Sequence, residues 1–194
     1  MKKIKRFAAL LLVGILALAV LTGCGGQENV DLSDKLAQKA TEAYVKALGV
    51  KAEEVQLNKE AVAFNKAMLN AIGEDGVMVL NKGDENIEDV LIGNDKSAVT
   101  ILHKQEPAEH GLYRQLCTFV VLGGETTKKD ASTFAPVATL KAEQVNAILS
   151  GSLEGLKLDK FKVSADTKIV GVGVSAKKLK DSTYCFVLTI DMIG

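Results

Sequence analysis

Residues 112–122 read LYRQLCTFVVL, and this stretch decides the fold class of the chain. From Leu116 to Leu122 apolar residues occupy both the odd and the even positions, so both faces of a strand built from them are apolar. A strand with one face in water alternates apolar and polar residues, whereas a strand covered on both faces does not. The stretch therefore predicts a central strand of a sheet with other structure packed on each side.

Five other segments have the composition of strands, because they are short and rich in β-branched and other apolar residues. The polar stretch 177–182 separates the last two segments and predicts a hairpin turn, whereas residues 128–130 read as a solvated loop. The predicted strands are 76–80, 87–92, 97–103, 168–175 and 183–192.

Three segments carry apolar residues at helical spacing. The first is capped by Asp31 or Ser33 and ends before Gly49, the second follows Asn58, and the third spans about residues 141–149. Strands that are segregated from helices and joined by hairpins indicate an α+β fold. We expect an antiparallel sheet of about four to six strands packed against about three helices, and an α-β-α sandwich is one such arrangement.

The first 23 residues differ in composition from the rest of the chain. Lys2, Lys3, Lys5 and Arg6 precede an uncharged apolar run over residues 7–21. A basic start, a short apolar core and small residues at the cleavage point are the signature of a secretory signal. A permanent transmembrane helix usually needs about 20 apolar residues. The sequence therefore predicts that residues 1–23 are an export signal that is removed.

The apolar run ends in Leu21-Thr22-Gly23-Cys24. This motif resembles the lipobox of bacterial lipoproteins, in which the cysteine thiol is acylated and the preceding peptide is removed. The resemblance implies that Cys24 carries a lipid anchor and that residues 24–30 form a flexible tether. Residues 31–194 would then be a single extracytoplasmic α+β domain at the cell membrane, facing the cell surface or the periplasm.

The charge of the chain argues against nucleic acid as a partner. Four of the 24 basic residues and none of the 24 acidic residues precede Cys24, so the expected mature chain has four more acidic than basic groups. Arg114 is its only arginine, which excludes arginine clusters that capture phosphate or carboxylate. The expected partners are the membrane, through the lipid anchor, and a cell-wall polymer or an envelope protein.

The two cysteines of the expected domain, Cys117 and Cys185, allow two interpretations. An oxidising extracytoplasmic location favours a disulfide between them. Both residues lie in apolar predicted strands, however, and cysteine is among the residues most often buried as a free thiol. The sequence leaves both alternatives open.

Residues 103–110 read HKQEPAEH and contain both histidines of the chain. Imidazole and carboxylate groups are common zinc ligands, so His103, Glu106, Glu109 and His110 are candidate ligands of a zinc ion that activates water. Their spacing matches no established zinc motif, and a charged segment that contains a proline is also typical of a solvated hairpin loop. No cofactor other than zinc is indicated.

Residues 169–174 read IVGVGV and superficially resemble a glycine-rich dinucleotide loop. Such a loop opens a helix within a unit of about 30 residues, whereas the chain from Thr183 onward reads as a strand. The alternation of glycine and valine instead predicts a strand with one bare face, against which another part of the chain packs closely.

Residues 142–150, 169–174 and 184–187 follow one another as a helix, a strand with alternating glycines and an aromatic strand, and residues 84–87 read DENI. These segments resemble the helix, the Ile-Gly-Val-Gly-Val strand, the closing strand and the Gly-Glu-Asn-Ile segment of one bacterial family. That family belongs to the cysteine-rich-secretory, antigen-5 and pathogenesis-related superfamily. The resemblance implies an α-β-α sandwich and carries over Glu85 alone as a site residue.

The chain departs from that family at the residues that perform its chemistry. Residues 153–155 replace the family's histidine-arginine pair, and no histidine precedes His103. The resemblance therefore implies a sandwich that has lost its metal-binding and catalytic set. Two classes of function follow. A non-enzymatic module that binds a ligand, a wall polymer or a protein is favoured, and the alternative is a metal-dependent hydrolase built on residues 103–110.

Overall fold

The computed structural model describes residues 31–81, 84, 87–152, 156–157, 160, 163–164 and 166–194. Residues 31–194 form one compact unit. Its described helices are α1 (Ser33–Ala47), α2 (Lys59–Asn70) and α3 (Ala142–Leu149), and short 3₁₀ turns lie at Ala52–Glu54 and Glu109–Gly111. Its described strands are β1 (Val77–Asn81), β2 (Asp89–Ile92), β3 (Ala98–Pro107), β4 (Tyr113–Val121), β5 (Thr127–Lys129), β6 (Ser132–Pro136), β7 (Lys168–Lys178) and β8 (Tyr184–Ile193). The predicted signal and tether lie outside the described residues.

The larger sheet has five antiparallel strands in the order β2-β3-β4-β8-β7. β4 lies at its centre, paired with β3 on one side and with β8 on the other. The prediction of a central strand from residues 112–122 is therefore confirmed. The smaller sheet has three antiparallel strands in the order β1-β6-β5.

The five-stranded sheet separates two hydrophobic cores, because side chains alternate between its faces along each strand. On one face, Phe186 and Leu188 of β8 pack with α1 and α3. On the other face, Cys185 and Val187 pack with α2 and with β1 and β6 of the smaller sheet. This double coverage buries β8 continuously from Tyr184 to Asp191.

The predicted α+β class is confirmed, since antiparallel sheets pack against three helices in the described part of the chain. One outer layer is helical, and the other combines α2 with the smaller sheet. No helix within the described ranges is long and apolar enough to cross a membrane.

The prediction of a solvated loop at residues 128–130 is wrong. Lys128 and Lys129 lie in β5, which pairs with β6 across a tight turn where Asp130 has a φ of 55°. All three residues of β5 are exposed. Because no face of this strand is buried, its sequence lacks the alternation by which strands are recognised.

Local signals place the helix ends close to the predicted positions. Asp31 Oδ1 accepts a hydrogen bond from the Ser33 backbone N–H (2.9 Å) at the start of α1, and Asn58 Oδ1 accepts one from the Ala61 N–H (2.8 Å) at the start of α2. Gly49 has a φ of 69°, a conformation that glycine adopts without strain, just after α1. These groups satisfy backbone atoms that a helix end leaves unpaired.

The close packing predicted on the glycine strand is confirmed. A Cβ atom built on Gly173 would lie 2.4 Å from Leu57 Cδ1, and one built on Gly171 would lie 3.1 Å from Leu57 Cδ2. The segment that carries Leu57 runs along the edge of β7, where the Val172 backbone N–H donates to the Val55 carbonyl oxygen at 2.9 Å. The bare face of β7 thus admits a side chain from outside the sheet.

We expect Gly123→Ala to lower the free energy of unfolding by about 1–3 kcal/mol, the usual cost of overpacking. A Cβ at this position would lie 2.7 Å from the Val137 carbonyl oxygen, which is a backbone atom and cannot swing away. Gly124→Ala is the matched control, because its Cβ would approach only Pro136, at 3.6 Å. Urea unfolding of residues 27–194 measures both variants, and equal midpoints would contradict the prediction.

Candidate functional site

The structure separates the four residues predicted to bind zinc. β3 does not end at His103 but continues to Pro107, paired with β4 across a register shift between Leu102 and Lys104. His103 therefore lies inside the sheet and is 4 % exposed. Glu109 and His110 lie beyond the strand in an exposed 3₁₀ turn, where His110 has a φ of 59°.

Glu106 is paired with a cation, with 2.8 Å between its Oε1 and Lys104 Nζ. Within the described ranges, no group of three or more His, Cys, Asp or Glu side chains is placed to hold a metal ion. The physical reason is the length of β3, because an extended strand advances about 3.3 Å per residue and carries His103 away from the turn. This arrangement gives the predicted zinc site no support.

Four side chains, three on the sheet and one on α2, form a line of hydrogen bonds between the sheet and the helix, which we call the buried polar layer. His103 Nε2 lies 2.8 Å from Thr118 Oγ1 on β4, and that atom lies 2.8 Å from Thr189 Oγ1 on β8. Asn65 of α2 donates through Nδ2 to Thr189 Oγ1 at 2.9 Å and to the Gly173 carbonyl oxygen at 3.3 Å. All four side chains are buried.

The Thr118–His103 pair has the atoms of a nucleophile and its base but lacks access for a substrate. Nucleophilic catalysis needs a hydrogen-bonded pair and space for the reacting group beside the nucleophile. Thr118 is fully buried, and the Phe64 ring of α2 stacks on the His103 ring with centroids 4.7 Å apart and planes within 9° of parallel. In this arrangement the pair fastens α2 to the sheet.

A small cleft of about 60 Å³ opens beside the N-terminus of α2, and we call it the charged cleft. Lys104 bridges Glu106 at 2.8 Å and Glu60 at 3.3 Å. Arg114 binds Asp191 with two hydrogen bonds, from Nε to Oδ1 at 2.8 Å and from Nη2 to Oδ2. Each charged residue in the lining of the cleft is thus paired with another one.

The two cations of the charged cleft stay protonated well beyond neutral pH. Hydrogen bonding to Asp191 raises the pKa of Arg114 above its ordinary value. Hydrogen bonds to Glu106 and then to Glu60 raise the pKa of Lys104. The cleft therefore holds a fixed arrangement of charges, and neither cation serves as a proton donor near pH 7.

Cys117 and Cys185 do not form the disulfide that the sequence left open, because both are free, buried thiols. Cys185 packs in the core beneath α2. Cys117 stands opposite Ile190, whose side chain packs in the core of the other face. Two side chains on opposite faces of a sheet cannot bring their sulfur atoms to bonding distance. Burial raises the pKa of each thiol to about 11.

A larger pocket, of about 290 Å³, lies over β2, β3 and β4, and we call it the apolar pocket. It is on the sheet face shared with α1 and α3, because Phe119 and Met192 in its wall also pack against that core. Its edge includes Leu91 of β2, which is 55 % exposed. Concave surfaces of this kind are typical ligand sites. The apolar residues of the lining are Leu91, Leu102, Cys117, Phe119, Val163 and Met192.

The sequence did not predict either the buried polar layer or the apolar pocket. Both depend on which residues of neighbouring strands stand opposite one another, and a single strand's pattern does not contain that register. One signal was present for the buried polar layer: Thr118 and Thr189 are hydroxyl-bearing residues within otherwise apolar segments. A polar group in a doubly covered strand needs a hydrogen-bond partner, which implies a second polar residue nearby.

Comparison with known proteins identifies no relative. No family model, no curated protein and no solved structure matches the chain. The segments that resemble the superfamily named above are α3, β7 and β8, and β7 pairs with β8 as an antiparallel hairpin. Glu85 and residues 153–155 lie outside the described residues, so that resemblance stays a prediction.

Proposed function

We propose that the chain is a lipid-anchored protein of the cell membrane that faces outside the cytoplasm. The support is the Leu21-Thr22-Gly23-Cys24 motif at the end of a basic and then apolar leader. Each methylene that enters the membrane contributes about 0.8 kcal/mol, so two acyl chains anchor a protein far more firmly than one. The unit over residues 31–194 would then be displayed on a short tether.

The displayed domain, in this proposal, binds a partner and does not catalyse a reaction. The observation that supports binding is the contrast between two sites. The hydroxyl–imidazole pair of the buried polar layer is closed by α2, whereas the apolar pocket is open. A preformed concave surface with apolar walls suits the binding of a ligand, a wall polymer or an envelope protein. Nucleic acid is not an expected partner, because the expected mature chain is acidic.

The metal-dependent hydrolase receives no comparable support. Its four candidate ligands lie in three places: His103 is in the sheet interior, Glu106 is half exposed near the end of β3, and Glu109 and His110 are in an exposed turn. Two of them are already engaged: His103 contacts Thr118 and Phe64, and Glu106 is paired with Lys104.

Metabolic labelling with alkyne-tagged palmitate tests the anchor. In a bacterial host that expresses the full chain, we expect label on the wild-type protein and none on Cys24→Ser, because acylation requires the thiol. Cys185→Ala is the matched control and should keep the label, since its thiol is buried in the domain. The proposal is overturned by label that survives Cys24→Ser, or by unlabelled wild-type protein that a salt wash removes from the membranes.

A further inference from the structure

Among the residues that the structure describes, none that lines the apolar pocket is charged, whereas most of those that line the charged cleft are. An ion that entered the apolar pocket would lose part of its hydration and meet no countercharge among the described lining residues, which is unfavourable. A neutral ligand does not meet this barrier. The chemistry of the walls therefore selects against charged ligands.

We propose that the apolar pocket binds a small, neutral, mainly apolar molecule that carries one hydrogen-bonding group. This inference rests on the proposed function, because it names the ligand class of the binding module. The volume of about 290 Å³ accommodates on the order of ten non-hydrogen atoms, at the ~30 Å³ that a water molecule occupies in the liquid. An alcohol with a chain of medium length has this size and composition.

Polar groups in the lining give the single hydrogen-bonding group of the ligand a partner. Thr100, Gln115, Ser164 and Thr167 contribute hydroxyl and amide groups to walls that are otherwise apolar. A few polar groups in an apolar pocket fix the orientation of a ligand, and the apolar walls supply most of the affinity. Leu91 extends the apolar surface outward from the pocket, so a bound chain would cover a large exposed side chain.

The two free cysteines form a built-in reporter of access to the apolar pocket. Cys117 lines the pocket, whereas Cys185 is 0 % exposed in the core beneath α2. Burial raises the pKa of both thiols to about 11, so each reacts slowly near neutral pH. The change that a ligand causes in the reaction rate of Cys117 at constant pH therefore reports access to the pocket, and Cys185 is the reference in the core.

The test treats residues 27–194, which contain the whole compact unit, with N-ethylmaleimide and follows each cysteine by peptide mass spectrometry. We expect Cys117 to react at least about tenfold faster than Cys185, because the neutral reagent enters the pocket. Octan-1-ol at millimolar concentration should slow the reaction of Cys117 by about fivefold or more, through occupancy of the pocket. Octanoate, which has the same chain length and a carboxylate, should slow it by less than about twofold.

A pocket-filling variant identifies where the alcohol acts. Thr100→Phe places a ring among the pocket walls, so it should slow the labelling of Cys117 and remove the protection by octan-1-ol. Thr127→Phe is the matched control, because Thr127 is exposed on β5 and does not line the pocket. It should leave both rates and the protection unchanged.

Three outcomes would overturn the inference: equal labelling of the two cysteines, no protection by octan-1-ol, or equal protection by octanoate. The comparison of the two ligands is made on the wild-type domain, so it stands even where Thr100→Phe does not fold. Residues 27–194 lack Cys24, and the result is therefore independent of the lipid anchor. The palmitate experiment tests that anchor separately.

Discussion

We expect Arg114→Ala to lower the free energy of unfolding by about 2–4 kcal/mol. The Asp191 side chain is 4 % exposed, and Arg114 donates hydrogen bonds to both of its carboxylate oxygens. Loss of the guanidinium leaves a buried carboxylate without a countercharge, which costs about 3–5 kcal/mol in a fully buried pair. Arg114 is itself 42 % exposed, so access of water to the site reduces that cost.

Lys104→Ala is the matched control for this substitution. Lys104 also pairs with two carboxylates, but those of Glu60 and Glu106 are about half exposed, and exposed pairs contribute only about 0–1 kcal/mol. Arg114→Met combined with Asp191→Leu should recover most of the loss, because no buried charge remains. Urea unfolding measures all three proteins. A loss for Arg114→Ala no greater than that for Lys104→Ala would show that Asp191 does not depend on its partner.

The central part of the fold could be predicted from the sequence because its elements are covered on two sides or have a clear apolar stripe. Residues 112–122 are apolar on both faces, and the strand that they form is the centre of the five-stranded sheet. The cap at Asn58 marked the start of α2, and the alternating glycines of β7 predicted the close approach that Leu57 makes. In each case the residues of the element itself carry the signal that predicts it.

Elements whose stability comes from pairing rather than burial could not be predicted in the same way. β5 is exposed throughout, and the residues of β3 after His103 are half-buried or exposed, so neither has an apolar pattern of its own. Both segments are extended because a neighbouring strand satisfies their backbone. The predicted loop also grouped His103 with His110 as candidate zinc ligands, whereas the longer β3 places them apart.

Of the candidate sites, only isolated residues could be predicted from the sequence. His103 and Glu106 were selected for their chemistry. His103 in fact contacts Thr118 on β4 and Phe64 on α2, and Glu106 is paired with Lys104 on its own strand. The apolar pocket combines β2, β3, β4 and β8 with Val163, Ser164 and Thr167. Such a surface depends on strand order, which the pattern of a single strand does not contain.

A double-mutant cycle at Thr118 and Thr189 tests whether the buried polar layer acts as one unit. The two residues stand opposite each other on β4 and β8, and valine keeps the shape of threonine while removing its hydroxyl group. We expect each single substitution to lower the free energy of unfolding by about 1–3 kcal/mol. Thr118→Val places a methyl group against His103 Nε2, and Thr189→Val removes an acceptor from the Asn65 amide.

The two losses should not add. Each single variant leaves one hydroxyl group without its partner on the neighbouring strand, whereas the double variant has no hydroxyl group left to be unpaired. We therefore expect a coupling free energy of about 0.5–3 kcal/mol. Thr127→Val, on the exposed β5, controls for the substitution itself. If the two losses add fully in urea unfolding, the contacts of the buried polar layer are independent of one another and the prediction is wrong. Coupled losses would mean that the hydrogen bonds of the Thr118–His103 pair belong to the same network that holds α2 over this pair. Exposure of that pair would then require the whole layer to break at once.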